Sequence, residues 1–283
     1  MKTNVWFLFA AAFCARLFMC ETSFAGTAED IARYESGGEL AVDPGETAVD
    51  APKGMKLILC IGQSNMAGRG ELKPEDKETV AGAYKLNRDD KWVAAKAPYH
   101  FDRKYAAMGP VDNFVKLYLA DHPGDKVGVV PCAVGGSSVQ TWIPGRRGVN
   151  FNRAMRRAKI AKGNGEFVAI LWHQGETDVA KWGKPDSMGA AKYPEHVKKM
   201  IEAFRAELGE VPAVVGEIGH WRRPDGDHAA WINPAIDSIP EILPRSAAAS
   251  AAGLKNQDRH HFNREAQIEL GKRYYEAWKK LAE

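Results

Sequence analysis

The stretch Lys56-Leu-Ile-Leu-Cys-Ile-Gly62, running into Gln63-Ser-Asn-Met-Ala-Gly-Arg-Gly70, decides the fold. Leu57, Ile58, Leu59 and Ile61 lie in a continuous apolar run, the pattern of a strand buried on both faces of a parallel sheet. The run stops at Gly62 and polar residues follow at once. The chain therefore leaves the sheet carrying the Ser64 hydroxyl to the carboxyl end of a strand, where open α/β sheets hold their ligands. An ordinary strand-to-helix turn with a capping serine fits these residues equally well. The rest of the chain has to separate the two.

Three more apolar runs behave in the same way. Lys126–Val134 runs into Gly135-Gly136-Ser137-Ser138, Phe167–Trp172 into His173-Gln174-Gly175-Glu176-Thr177-Asp178, and Val211–Ile218 into Gly219-His220-Trp221. Ser246–Ala252, rich in small residues, reads as a fifth strand packed where space is short. Between the strands lie helical patterns at about Asp112–Asp121, Asn150–Lys162, Pro194–Leu208 and Ala229–Ile239. A final amphipathic helix has Ala266, Leu270, Tyr274, Ala277 and Leu281 on one face. In the helix at 150–162, Arg153, Arg156, Arg157 and Lys159 read as a solvated face. Ala83–Leu86 and Lys91–Ala94 flank Asn87-Arg88-Asp89-Asp90 as a hairpin-like excursion. Alternating strand and helix predict a three-layer α/β/α sandwich around a central, mostly parallel sheet of about five strands. Its polar strand exits converge on one edge.

Composition sets the outer limits. A chain of 283 residues with 45% hydrophobic content can bury the core of one large domain, and a net charge of +3 excludes neither fold nor enzyme but argues against nucleic acid as the partner. Residues 1–25 read as a secretory signal. Lys2 precedes an apolar stretch from Val5 to Phe13, and the small residues Ser23 and Ala25 set a cleavage site after Ala25. Arg16 breaks the apolar run, which falls short of the ~20 residues that stable membrane insertion needs. Leu17-Phe-Met-Cys20 is a poor lipoprotein box, because Phe18 and Met19 stand where small residues belong. The expected location is secreted or periplasmic. Residues 26–53 carry seven acids between Thr27 and Lys53 against two bases, with few large apolar side chains, and read as an acidic leader or linker ahead of a domain at 54–283. Cys14 and Cys20 belong to the signal; Cys60 and Cys132 end neighbouring apolar runs, where a disulfide and two buried thiols are both open readings.

A serine hydroxyl becomes a nucleophile only beside a base, and the base works only if a carboxylate holds its tautomer. Asp258 and His261, three residues apart in one loop, supply both, with the carboxylate on Nδ1 and Nε2 facing Ser64. The competing reading is an Asp/His-rich loop that caps the last helix. Acyl transfer also needs donors for the oxyanion; the candidates are backbone N–H groups at Ser64, Gly135 and Gly136 and the side-chain amide of Gln174. Glu176 is a second carboxylate at the same edge, able to share the role of Asp258 or to brace the Ser64 loop. Gln63, Asn65 and Trp142 are candidate substrate contacts, and Trp142, Trp182, Trp221 and Trp231 offer flat faces for sugar rings near strand exits.

The blocks Gly62-Gln-Ser-Asn-Met-Ala-Gly-Arg-Gly70, Gly135-Gly-Ser-Ser138 with Trp142, Trp172-His-Gln-Gly-Glu-Thr-Asp178 and Asp258-x-x-His261-Phe262 resemble, in order, the conserved blocks of the SGNH hydrolases. The resemblance is to the branch of sialate O-acetylesterases and carbohydrate acetylesterases that act on acetylxylan, and it covers about residues 55–265. It implies Ser64 as nucleophile, His261 as base, Asp258 as its orienting acid, and Gly136 and Gln174 as oxyanion donors, with no metal or organic cofactor and an O-acetylated carbohydrate as substrate. Gln174 departs from the broader pattern, in which many members carry asparagine there. Two other readings stay open: a general short-chain esterase, and a secreted carbohydrate-binding protein without turnover. A metal hydrolase built on His173, Glu176, Asp258, His260 and His261 lacks any helical His-Glu spacing to support it.

Overall fold

The computed structural model describes residues 46–182, 188–221, 223–224 and 226–283; the signal reading and most of the acidic leader lie outside them. Among the described residues, seven strands form one sheet: β1 (Met55–Gly62), β2 (Ala83–Leu86), β3 (Trp92–Ala94), β4 (Val127–Pro131), β5 (Gly165–His173), β6 (Ala213–Gly216) and β7 (Ser246–Ala249). Their order is β3-β2-β4-β1-β5-β6-β7, parallel throughout except for the antiparallel edge pair β2–β3. From β1 the chain runs out to the β2–β3 edge, returns to β4 beside β1 and then crosses to β5 on the other side. The carboxyl ends of β4, β1 and β5 thus lie side by side at the reversal, the place where a doubly wound sheet opens a crevice.

Two apolar layers cover the sheet. Leu57, Leu59 and Ile61 face α3 (Val149–Lys162), α5 (Met188–Leu208), α6 (His228–Asp237) and the short α7 (Ile239–Ile242). Ile58 and Cys60 point the other way, toward α2 (Pro110–Asp121) and the C-terminal α8 (Arg264–Ala282). This alternation is the two-residue period of a strand whose faces are both buried. It also settles the cysteines. Cys60 and Cys132 sit on adjacent chain segments, joined by Cys132 N–H donating to the Cys60 carbonyl at 2.8 Å, but on opposite faces, so both are buried free thiols.

The helices start where local chemistry dictates. Pro110 occupies the first turn of α2 and the Asp112 carboxylate accepts from Gly109 N–H at 3.0 Å; Asn263 caps α8 by accepting from Ala266 N–H at 2.9 Å. Leu270 and Tyr274 of α8 are fully buried against the sheet, each such side chain contributing about 1.5–3 kcal/mol of apolar transfer.

Four expectations are corrected. The excursion at 83–94 extends the sheet, which has seven strands instead of about five: β2 pairs with β4, and β3 closes the edge. The solvated basic face of α3 is solvated only in part. Arg157 is buried, donates to the Leu86 and Asn87 carbonyls at 2.8 and 3.0 Å, pairs with Asp90 and so pins the β2–β3 turn. Residues 46–53 are tethered, not loose. Val49 N–H donates to the Trp92 carbonyl at 2.9 Å, and Glu46 meets the buried Lys85 ammonium at 2.8 Å. Finally, α5 begins at Met188, ahead of Pro194.

Candidate active site

Gly62 ends β1 against the β5 backbone: a Cβ there would lie 2.1 Å from the His173 carbonyl oxygen, so only glycine lets the two strands exit this close together. Ser64 then opens a one-turn helix, α1 (Ser64–Ala67), and its N–H is among the first-turn donors that no carbonyl of that helix can accept. The β4 exit places Gly135 and Gly136 beside it, the latter at φ +75° with open space where a Cβ would stand. From the far end of the sequence, the loop before α8 brings His261 Nε2 to 3.2 Å from Ser64 Oγ, and Asp258 Oδ2 to 2.9 Å from His261 Nδ1. Asp258 Oδ1 accepts from the N–H groups of His260 and His261 at 2.7 and 2.9 Å. Burial opposes ionisation of Asp258, but the bond from the His261 ring and these N–H groups outweigh it and hold the carboxyl below its ordinary range.

The His261 loop is fixed by its neighbours. Phe262 is fully buried, with its ring edge-on to Trp221 at 4.8 Å, and Trp221 Nε1 donates to the Arg259 carbonyl at 3.1 Å. Asn65, adjacent to the serine, is fully buried. It accepts from Phe262 N–H at 3.2 Å and donates to the His260 carbonyl at 3.1 Å and to Glu176 Oε1 at 2.5 Å. Asn65 therefore locks the serine turn to the histidine loop and is no substrate contact, contrary to the sequence expectation. Glu176, the first residue of α4 (Glu176–Trp182), does not reach the His261 ring. One of its oxygens serves Asn65 and lies 3.7 Å from His173 Nε2, which places it as a brace for the serine turn. Burial pushes Glu176 up, but His173 and Asn65 outweigh it and the carboxyl lies below its usual value.

Two expected oxyanion donors are already committed. The Gln174 amide is fully buried and donates to Gln63 Oε1 (3.1 Å), the Ser137 carbonyl (3.0 Å) and Asp178 Oδ2 (2.5 Å), while Tyr193 Oη donates to Gln174 Oε1 at 3.0 Å. The residue ties three strand exits together. Gly135 N–H donates to Asp102 Oδ2 at 2.8 Å. Here glycine is required for space, since a Cβ would stand 2.8 Å from Arg69 Nη2 and 2.9 Å from Asp102 Oδ2. Trp142 is also corrected: it is fully buried, edge-on to Trp172 at 5.5 Å, with Nε1 donating to Ser137 Oγ at 2.9 Å. Gln63 remains at the site, lining it and accepting from Thr177 N–H at 3.3 Å.

Above Ser64 and His261 opens a cleft of about 530 Å³ whose lining includes Gly136, Arg69, Arg103, Tyr105, Lys181 and Arg223. Arg69 and Asp102 escaped the sequence reading. They form a buried fork, Nη2–Oδ2 2.7 Å and Nη1–Oδ1 3.3 Å, and Arg69 also donates to the Gly68 carbonyl at 2.7 Å. Arg69 was visible at the end of the first motif. Asp102 lies in an aperiodic stretch that gave no signal. Neither Trp221 nor Trp231 lines the cleft, and the side chain of Trp182 lies outside the described residues.

The fold and the cleft are those of an α/β esterase. The chain is 27% identical, over 83% of its length and 95% of the relative's, to a probable carbohydrate esterase of Arabidopsis thaliana. The crystal structure of that Arabidopsis protein superposes with a TM-score of 0.69 over 81% of this chain and 99% of the other. NanS shares the fold at 16% identity, with a TM-score of 0.61 over 82% and 98% of the two chains. A carbohydrate acetylesterase from Xanthomonas citri does so at 21% identity and 0.61, over 80% of this chain and 56% of its own. The family model for carbohydrate esterases of the sialic acid-specific acetylesterase type matches residues 54–280, and the chain belongs to that family, a carbohydrate acetylesterase group of SGNH type.

Proposed function

We propose that the protein is a secreted serine esterase that removes acetyl groups from an O-acetylated carbohydrate through an acyl-enzyme. The observation that carries this reading is the chain Asp258–His261–Ser64, with links of 2.9 and 3.2 Å opening on the cleft. Because the Asp258 carboxylate can only accept, His261 carries its hydrogen on Nδ1 and presents a lone pair on Nε2 to the serine hydroxyl. Ser64 Oγ attacks the acetyl carbonyl as Nε2 takes its proton. The tetrahedral oxyanion is held by the N–H groups of Ser64 and Gly136, and the sugar alkoxide leaves with the proton that His261 returns. Water activated by the same ring then releases acetate. No metal or cofactor enters the scheme, and chelator is expected to leave the rate unchanged.

Arg103, Lys181 and Arg223 line the cleft beside Glu176, and the charge of Arg69, the fourth cation there, is met by Asp102. The test is acetate release from an aryl acetate, O-acetylated sialic acid and acetylated xylan, comparing the mature protein with Ser64→Ala. The serine variant is expected to lose at least about 10³-fold in turnover on every ester; near-normal activity would sink the assignment. Export is checked by the mass of the protein recovered outside the cytoplasm, expected to begin at Gly26.

A further inference from the structure

We propose that Tyr105 is the platform on which the sugar ring of the substrate lies; this rests on the reading of the cleft as a carbohydrate-ester site. Three large hydrophobic side chains among the described residues are substantially exposed, Val49, Tyr105 and Ile160, and of these Tyr105 alone lines the cleft that contains Ser64. It is 57% exposed. A lone exposed aromatic is ordinary on a protein surface, but this one is built into a support. The Arg69 guanidinium carbon lies 5.0 Å from the ring centroid, and Arg69 is itself buried and forked onto Asp102. One face of the ring therefore rests on a fixed cation.

The chain on either side is held as firmly. Tyr99, His100 and Asp102 are buried just before it, and Ala106 and Met108 just after. Gly70 N–H and Met108 N–H exchange bonds with each other's carbonyls at 3.0 Å, fastening the segment beside the serine turn. The ring is thus presented by an anchored strut, so little conformational freedom is lost when a ligand covers it.

The position suits a sugar ester. A Cβ at Gly135 would lie 2.8 Å from Arg69 Nη2 and 3.7 Å from Ser64 Cβ, so the guanidinium beneath Tyr105 and the serine flank the same turn. An acetyl group placed on Ser64 leaves its alcohol part extending over this region. A pyranose has an apolar C–H face for the ring and a hydroxyl rim for the charged residues around it, whereas an acyclic alcohol has no flat face to offer. Of the tryptophans suggested for this task by the sequence, Trp142 is buried and Trp221 and Trp231 do not line the cleft, while the side chain of Trp182 lies outside the described residues; among the described residues Tyr105 is the large exposed aromatic of the cleft.

The experiment compares the parent, Tyr105→Ala and Tyr105→Phe on an O-acetylated methyl pyranoside and on triacetin, an acyclic acetate ester. Calorimetric titration of the same pyranoside into Ser64→Ala, with and without Tyr105→Ala, reads binding without turnover. Tyr105→Ala is expected to lower kcat/KM for the sugar ester about tenfold through KM. It should leave triacetin within about twofold and weaken the titrated affinity by the same factor as KM, while Tyr105→Phe behaves as the parent because the ring, not the hydroxyl, makes the contact. Equal losses on both esters would mean that the ring only props Arg69, and unchanged binding would remove the platform; either overturns the proposal. A parent that hydrolyses neither ester but binds the pyranoside through Tyr105 would refute the esterase reading and leave the platform standing.

Discussion

Two acid–histidine pairs with the same three-residue spacing stand in this site, and they behave in opposite ways. His173 and Glu176 leave β5 fully or almost fully buried; His173 Nδ1 donates to Tyr274 Oη at 3.1 Å, Tyr274 Oη donates to the Trp172 carbonyl at 2.6 Å, and Nε2 faces Glu176 at 3.7 Å. Asp258 and His261 sit on a surface loop, with side chains 48% and 22% exposed, and the ring spans from carboxylate to serine. Spacing alone therefore does not mark a base. What separates the pairs is the second ring nitrogen: in one it is spent inside the core, in the other it meets a hydroxyl at the edge of a cleft.

Exchanging the two histidines for alanine is the strongest way to break this contrast. His261→Ala is expected to reduce kcat by about 10³-fold or more with an almost unchanged melting temperature, because it removes the base from a loop held by other residues. His173→Ala should instead cost about 3–5 kcal/mol of stability by leaving Glu176 buried with only its bond from Asn65, read from urea unfolding. If His173→Ala proved stable but inactive, the roles drawn here would have to be exchanged.

The acids make the next comparison. Asp258→Asn is expected to lower kcat about 10²-fold or more, since an amide favours the wrong tautomer of His261, whereas Glu176→Gln should act mainly on stability. The Asp258 carboxyl lies below its ordinary range, so it is ionised throughout mildly acidic conditions. A fall in parent kcat anywhere above pH 5 is then not protonation of Asp258. A smaller loss, roughly tenfold, is expected for Gly135→Ala. Its Cβ would press on Arg69 and Asp102 and tilt the turn that carries Gly136 N–H, and removing one oxyanion donor outright costs about 10²–10³ in kcat. Steady-state kinetics of the folded variant check it.

Much of this arrangement was legible in the chain. Apolar runs ending in glycine marked the strands of the switch point, and the polar residues after each run marked which side chains would meet, which is why Ser64, Asp258 and His261 could be placed together from positions nearly 200 residues apart. What was not legible is which polar group is already in use. Gln174 and the Gly135 N–H look like free donors in sequence, yet Asp178 and Asp102 claim them through contacts that no local pattern encodes. Trp142 looks like a sugar platform because it follows a strand exit, but its indole packs inward on Trp172. The strut that carries Asp102 and Tyr105 has neither helical nor strand periodicity, so its part in the cleft emerges only from tertiary contacts.

The finest form of the comparison sets Glu176 beside a second buried carboxylate, Asp112. Burial disfavours the charge of both. For Glu176 the neighbouring His173 and Asn65 more than offset it; Asp112 has its bond from Gly109 N–H and the more distant charge of Lys116, and its pKa is pushed up to about 7. The two acids must therefore affect stability with opposite signs. Glu176, depressed in the fold, stabilises above its unfolded value and loses that contribution as pH falls through its lowered one, so Glu176→Gln should destabilise at pH 8 and matter little near pH 3. Asp112, raised in the fold, costs nothing below the ordinary aspartate value of 3.8 and an increasing amount from there to about pH 7. An asparagine oxygen can still accept from Gly109 N–H, so Asp112→Asn should leave stability nearly unchanged at pH 4 and raise it at pH 8, by up to about 4 kcal/mol. Urea unfolding of both variants at the two pH values measures the crossing. If Asp112→Asn were destabilising at pH 8, the carboxylate would have a partner as effective as His173, and burial with a histidine would no longer distinguish the two.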